Sequence, residues 1–357
     1  MNESAEPDHG VDLDRLAMWM DERQLGAGPI TDVERIPGGT QNVLLRFRRG
    51  ELSQNHSENQ YVFRRPPPHK RSNSDETMRR EARVLAALAG SDVPHPDLIA
   101  AEPDETLLGA AFYLMRPVVG FNPGSGLVEP HASHPDLQRS MGLSMADAIA
   151  ALGRVDHVAV GLADFGKPGG WLERQVPRWR AHLDSYQAVE EYRGSASIPG
   201  VDEVGAWLEA HRPQQWTPGV IHGDFHFSNV IVTPDRGELA AVVDWELSTI
   251  GDPLLDLGHL LATWPTQQMG VGSGMTGAAL PTPDEIVDRY AAGTSRDVSQ
   301  AGWYQVLACY RLGIILEGTN ARADAGLAPR ETGDLLHAHT VSLFTQALEL
   351  IGAGDTT

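Results

Sequence analysis

Apolar residues in this chain change period part-way along it. Up to residue 118, stretches at 30–36, 43–48, 60–65, 98–102 and 111–115 read as short strands, and only 12–24 and 76–89 carry helical spacing. The first helix rests on Leu13, Leu16, Ala17 and Met20, the second on Met78, Ala82, Leu85 and Ala89. Beyond Gly120 the pattern is helical, over about 136–152, 171–190, 201–211, 253–264, 283–292, 302–321 and 331–351. Only 219–245 departs from it and reads as a strand hairpin. Strands sorted ahead of helices predict an α+β fold: a small five-stranded antiparallel part in residues 1–118 and a larger helical part in 119–357.

The gaps between these elements are polar or rich in glycine and proline. Residues 1–10 read as disordered, 49–59 as an exposed loop, 120–135 as a linker or substrate loop, and 265–283 as a flexible insert. Pro66-Pro67-Pro68 ends the third strand, because proline cannot continue a ladder. The first ten residues lack the basic and apolar blocks of a secretion signal. No apolar run approaches a membrane span, so no membrane partner is expected. One cysteine, Cys309, allows no intrachain disulfide and fits a cytoplasmic location. A net charge of -20 argues against nucleic acid as a partner and suits solubility or a cationic substrate.

The densest chemistry lies at His222-Gly223-Asp224-Phe225-His226-Phe227-Ser228-Asn229, which spells H-G-D-x-x-x-x-N ahead of the apolar run Val230–Val232. A turn at 233–237 leads to a second apolar run that ends in Asp244. Asp224, Asn229 and Asp244 suit phosphoryl transfer, in which the protein mainly positions groups and balances charge. One carboxylate orients a hydroxyl; an amide and a second carboxylate offer the oxygens that magnesium favours. Taken alone, Asp224 reads equally well as an Asx turn. His222 reads as a loop-holding residue, and His226 beside oxygen donors makes a poor zinc site. Asp252-Pro253 reads as the cap and first residue of a helix, with Asp256 in its first turn or bracing the loop before it.

The H-G-D-x-x-x-x-N motif, Val242-Val243-Asp244-Trp245-Glu246 and Gly251-Asp252-Pro253-Leu254-Leu255-Asp256-Leu257-Gly258 together resemble the aminoglycoside phosphotransferase and choline kinase family over about residues 30–350. That family has a protein-kinase-like two-lobed fold and uses ATP or GTP with magnesium to phosphorylate small-molecule hydroxyls. The resemblance implies that Asp224 is catalytic and that Asn229 and Asp244 bind Mg2+. It puts the nucleotide loop at Gly38, Gly39, Thr40 and Asn42, an apolar adenine contact at Val62, and the phosphate-binding base at Arg64, paired with Glu81. Arg64 stands where the family has lysine, which leaves open a catalytically silent nucleotide-binding protein; Arg65 is the alternative ligand if the register shifts by one. The linker Met115, Arg116 and Val118 would hold adenine through the Arg116 carbonyl and the Val118 N–H.

The acceptor is not fixed by these motifs. Arg64-Arg65-Pro66-Pro67 and G-D-F-H-F-S-N look closest to bacterial proteins of the aminoglycoside phosphotransferase group and to the kinase-like domain joined to some acyl-CoA dehydrogenases. The latter implies hydroxy acids or hydroxyacyl-CoA as acceptors, needing basic groups such as Arg174, Arg178, Arg180 or Arg311. An amine-bearing acceptor would instead suit Glu317, on the helix at 302–321.

Overall fold

A computed structural model describes residues 10–36, 42–50, 59–70, 72–189, 192, 194–265, 275 and 278–354. Gly38, Gly39 and Thr40, and most of the loop expected at 49–59 and the insert expected at 265–283, lie outside the described residues. The chain divides into two compact units, one formed by Met1–Gly120 with Ala240–Glu246, the other by Phe121–Leu239 with Leu247–Thr357.

In the first unit, α1 (Leu13–Glu22) begins where the Asp12 side chain accepts the Arg15 N–H at 3.0 Å. The sheet is built from β1 (Ile30–Arg35), β2 (Val43–Arg49) and β3 (Gln60–Arg65). After α2 (Ser74–Leu88) come β4 (Leu98–Glu102) and β5 (Phe112–Met115). All pairs are antiparallel, in the order β1-β2-β3-β5-β4. Strand alternation sends Leu45, Phe47, Tyr61, Phe63, Phe112 and Leu114 to one face, where Leu16, Trp19 and Met20 of α1 close the core. Trp19 meets Phe112 edge-on at 4.8 Å between centroids. On β3, Val62 and Arg64 alternate away from Phe63, and Arg64 sits opposite Tyr113 in register. Helix α2 buries Met78, Ala82 and Leu85 at helical spacing, and with them two carboxylates, Asp75 and Glu81.

The second unit is mainly helical: α3 (Pro135–Arg154), α4 (Gln175–Ser185) and α5 (Val201–Ala210) come first. Strands β6 (Gly219–Ile221), β7 (Val230–Val232), β8 (Leu239–Val242, which runs across the division) and β9 (Thr249–Gly251) follow. The remainder is α6 (Leu254–Ala262), α7 (Pro283–Ala292), α8 (Ala301–Asp324) and α9 (Arg330–Gly354). The expected hairpin is present between β7 and β8, where Thr233 N–H donates to the Glu238 carbonyl at 2.8 Å. β6, at the start of the 219–245 span, lies outside that hairpin and pairs antiparallel with β9, Val220 opposite Ile250. The expected helix at 171–190 is shorter, its α part being Gln175–Ser185.

Every residue of α6 is buried, and α6 packs on α8. Gly258 permits the approach, since a Cβ there would stand 2.4 Å from the Tyr304 carbonyl oxygen. Tyr304 and Arg311, two helical turns apart on α8, therefore share the side that meets α6, and the Tyr304 hydroxyl donates to Asp252 at 2.6 Å. Asp252 also accepts the Leu254 N–H at 3.0 Å, while the cap of α6 falls one residue later than the sequence suggests, at Pro253. Among the described residues, no helix is long and apolar enough to cross a membrane.

Candidate active site

The loop after β6 is held from beneath by one buried carboxylate. Asp256, 1% exposed, accepts the His222 N–H at 2.7 Å and the Gly223 N–H at 2.8 Å, one on each oxygen. Burial pushes its pKa up to about 6, against the pull of those two hydrogen bonds. Of the two roles open to it in the sequence, Asp256 takes the brace. Gly223 has φ +85, and a Cβ there would lie 2.6 Å from the Leu247 carbonyl oxygen, so glycine is required twice over. The turn thus formed is closed by Asp224 N–H donating to His222 Nδ1 at 3.2 Å.

Asp224 leaves this turn with its side chain 31% exposed and its two oxygens facing different partners. Asn229 Nδ2 donates to Asp224 Oδ2 at 3.0 Å and to the Asp224 carbonyl at 2.9 Å. His226 Nε2 lies 3.5 Å from Oδ2, and His259 Nε2 lies 3.3 Å from Oδ1. Burial alone would raise the Asp224 pKa, but His226 and His259 outweigh it and hold the carboxylate well below the usual range. His259, fully enclosed in α6, has its pKa pushed down by burial against the pull of Asp224.

His259 is the residue that sequence reasoning passed over. Its only signal is an imidazole in the apolar run Leu257-Gly258-His259-Leu260-Leu261, a pattern that more often marks a satisfied core histidine. Asp224, His226 and His259 bring ligand-capable atoms within 4.8 Å of one another. The His226 Nδ1 accepts the Ser228 N–H at 3.2 Å, and its Nε2 lies 3.3 Å from Asn229 Nδ2. Both imidazoles stand beside the Asp224 carboxylate, one at each oxygen.

The first unit contains the other group of candidates. Arg64 Nε stands 3.0 Å from Glu81 Oε2, and its Nη2 donates to Asp244 Oδ1 at 2.7 Å. Tyr113 donates its hydroxyl to Glu81 at 2.7 Å. Burial opposes the Arg64 charge, but Tyr113, Glu81 and Asp244 outweigh it and raise its pKa. Burial pushes Glu81 up to about 7 against Arg64. Asp244 adopts φ +68, a conformation costing a non-glycine residue about 1–2 kcal/mol. One oxygen each from Glu81, Asp244 and Glu246 falls within 4.8 Å of the others, an all-oxygen set of the kind hard cations take.

The remaining sequence candidates are less concentrated. Arg65 points to the opposite face from Arg64 and donates to the carbonyls of Leu108 at 3.0 Å and Gly10 at 2.7 Å. Val62 is buried and Met115 half-buried. Arg116 lies over the Tyr61 ring at 5.6 Å, and the Val118 N–H makes no backbone hydrogen bond among the described residues. Asn42, next to the undescribed loop, is half-buried. Glu317 is fully enclosed, and its oxygens accept from Tyr192 at 3.0 Å, Asn320 at 2.9 Å and His337 at 2.7 Å.

A family model described as phosphotransferase enzyme family matches residues 32–304. The chain belongs to that phosphotransferase family. It is an enzyme, and its α+β architecture is the protein-kinase-like fold of the aminoglycoside phosphotransferases. A Ralstonia eutropha JMP134 protein of known structure, provisionally assigned as an aminoglycoside phosphotransferase, is 30% identical. It superposes with a TM-score of 0.75 over 95% of this phosphotransferase and 99% of that chain. Aminoglycoside phosphotransferase APH(4)-Ia, solved with ADP and hygromycin B, shares the fold at 16% identity and a TM-score of 0.59, over 92% of this chain and 98% of its own. Mouse acyl-CoA dehydrogenase family member 10 is 29% identical over 302 residues, 81% of this chain. The matched part is 27% of that relative's length, so the phosphotransferase spans about a quarter of it.

Proposed function

We propose that this phosphotransferase moves the γ-phosphate of ATP or GTP, with magnesium, to a hydroxyl of a small molecule. The observation that carries the reading is Asp224: an ionised, part-exposed carboxylate, oriented by Asn229 and His259 and resting on a loop that Asp256 fixes. An anion so held can orient a hydroxyl and take its proton as the oxygen attacks phosphorus. The new bond is acceptor oxygen to γ-phosphorus, the bond that breaks joins that phosphorus to the β-phosphate oxygen, and a nucleoside diphosphate leaves. Arg64, oriented by Glu81, is the cation for the phosphates, with two forked donors in place of a lysine's single point of charge. Asn42 and the Gly38, Gly39 and Thr40 loop would cover the phosphates; Val62, Met115, Arg116 and Val118 would receive the base.

Each unit offers donors of the kind magnesium takes. In the second, Asn229 spends its Nδ2 on Asp224 and its Oδ1 takes no hydrogen bond from any described residue; in the first, Asp244 offers carboxylate oxygen beside Glu81 and Glu246. The ion, when bound, neutralises charge on the phosphates. ADP or GDP release with a panel of hydroxyl compounds, before and after chelation, tests the reading. Release should need magnesium and vanish in Asp224→Ala. Full phosphotransfer by that variant would refute the mechanism.

Two acceptor classes are supported by relatives: aminoglycosides, from the assignment of the Ralstonia protein, and hydroxy acids or hydroxyacyl-CoA, from similarity to part of an acyl-CoA dehydrogenase family member.

A further inference from the structure

Four arginines of the second unit are candidates for holding an anionic acceptor, and their surroundings separate them. Arg174 turns back onto the carbonyls of Lys167 and Gly169. Arg180 is engaged by Asp202 and by Asp184 at 3.3 Å. Arg178 lies over the Trp179 ring at 5.1 Å. Arg311 is different: it is only 7% exposed, yet makes no hydrogen bond and no ion pair with any described residue. Its Nη1 is enclosed without an acceptor, and its Cζ stands 5.4 Å from the Trp179 ring. Trp179, 8% exposed, has its own Nε1–H enclosed without an acceptor.

A guanidinium does not give up its proton in a protein, so Arg311 cannot escape its burial by neutralising. A buried charge without a partner costs several kcal/mol, and an orphaned indole N–H adds to that. Two adjacent enclosed donors, one of them cationic, lack the same thing: an anionic oxygen. The nearest carboxylates do not supply it. Asp256 has both oxygens on the loop N–H groups of His222 and Gly223, and Asp224 is engaged by Asn229 and His259. Burial lowers the Arg311 pKa, with Asp224 and Asp256 opposing it through space and Arg178 adding to the fall, so Arg311 stands within electrostatic reach of the proposed base. The packing of α8 on α6 explains that reach, since α6 carries Asp256 and His259.

We propose that Arg311 and Trp179 form a subsite for an oxyanion of the acceptor, so that the hydroxyl presented to Asp224 belongs to a hydroxy carboxylate rather than to a polycationic sugar. This deepens the phosphotransfer reading and rests on it. Arg178, stacked on the same indole, adds positive charge that favours such an acceptor and disfavours an aminoglycoside amine.

The test uses the full chain and a series of ω-hydroxy carboxylates from glycolate to 6-hydroxyhexanoate, each beside its neutral primary amide. Binding is read by calorimetry with a non-hydrolysable nucleotide and magnesium present, and turnover by ADP release. At least one acid should bind roughly tenfold to a hundredfold more tightly than its amide, the span expected of a charge-assisted pair. Arg311→Met should erase that preference while leaving amide binding unchanged, and should hold or raise the Tm, because it removes an unpaired buried charge. Trp179→Phe, which keeps the ring and loses the N–H, should weaken the acid several-fold. If Arg311→Met does not fold, the acid-to-amide ratio of the wild type and of Trp179→Phe decides. Equal binding of acid and amide by the wild type, or an unchanged preference in Arg311→Met, overturns the subsite. Selective acid binding without ADP release would keep the subsite and refute phosphotransfer to these acceptors. ADP release with acids and amides alike would keep phosphotransfer and refute the subsite.

Discussion

Asp256→Asn separates what the brace contributes to the loop from what its charge costs the fold. The carboxylate is 1% exposed, and burial lifts its pKa from 3.8 to about 6. An acid whose pKa rises on folding holds its proton more tightly in the native chain. Its stabilising effect is therefore complete below 3.8 and is lost as pH climbs through about 6. That displacement is worth about 3 kcal/mol in all, of which about 2 kcal/mol falls between about pH 4.5 and about pH 7.5. Asparagine does not titrate. The stability advantage of wild type over Asp256→Asn should thus shrink by about 2 kcal/mol across that interval, measured by urea unfolding of both proteins at each end. Activity should move differently. The amide offers one oxygen and one N–H2 to two loop N–H donors, so one of His222 or Gly223 faces a donor and Asp224 loses its fixed position. The turnover number should fall roughly tenfold to a hundredfold at every pH. A stability difference that is constant with pH, or that widens as pH rises, would refute the assignment of Asp256 as a buried ionised brace.

Other perturbations probe the same framework. Gly223→Ala must place a Cβ 2.6 Å from the Leu247 carbonyl at φ +85, costing at least about 1–2 kcal/mol; a lower Tm with reduced turnover is expected, and an unchanged Tm would contradict the geometry. Because His226 and His259 keep Asp224 well below the usual carboxylate range, the wild-type pH–rate profile should show no acid limb from Asp224 above about pH 5. His259→Ala should raise that limb into the measurable range, and an unmoved profile would remove His259 from the account. Arg64→Met should cost about 3–5 kcal/mol by leaving Glu81 buried and unpaired, whereas Arg64→Lys should recover much of that loss in a denaturant series.

The strands of the first unit were legible because each carries β-branched or alternating residues over a length that reveals a period of two. Helix α7 was legible from its helical pattern over 283–292, and the structure starts it with a capping box of Thr282 and Glu285 around Pro283. The pairing of β6 with β9 was not, since Thr249-Ile250-Gly251 is too short to show alternation and its partner lies 28 or more residues earlier in the chain. Arg64 and Glu81 were named as a pair by the family resemblance, and they lie 3.0 Å apart. His259 and Arg311 were not separable from core and surface residues by pattern. What marks them is a polar side chain enclosed within reach of Asp224, and enclosure is a property of packing.

The contact of Arg64 with Asp244 makes one position answer to two cations. Arg64 Nη2 already occupies Asp244 Oδ1 at 2.7 Å, so a divalent ion taking that oxygen competes with the guanidinium for it. Each displaced arginine is then released toward whatever anion accompanies the ion, with Glu81 still gripping its other edge. Ion and nucleotide should therefore bind with mutual reinforcement: the ion tightens nucleotide by freeing Arg64, and by thermodynamic reciprocity the nucleotide tightens the ion by the same factor.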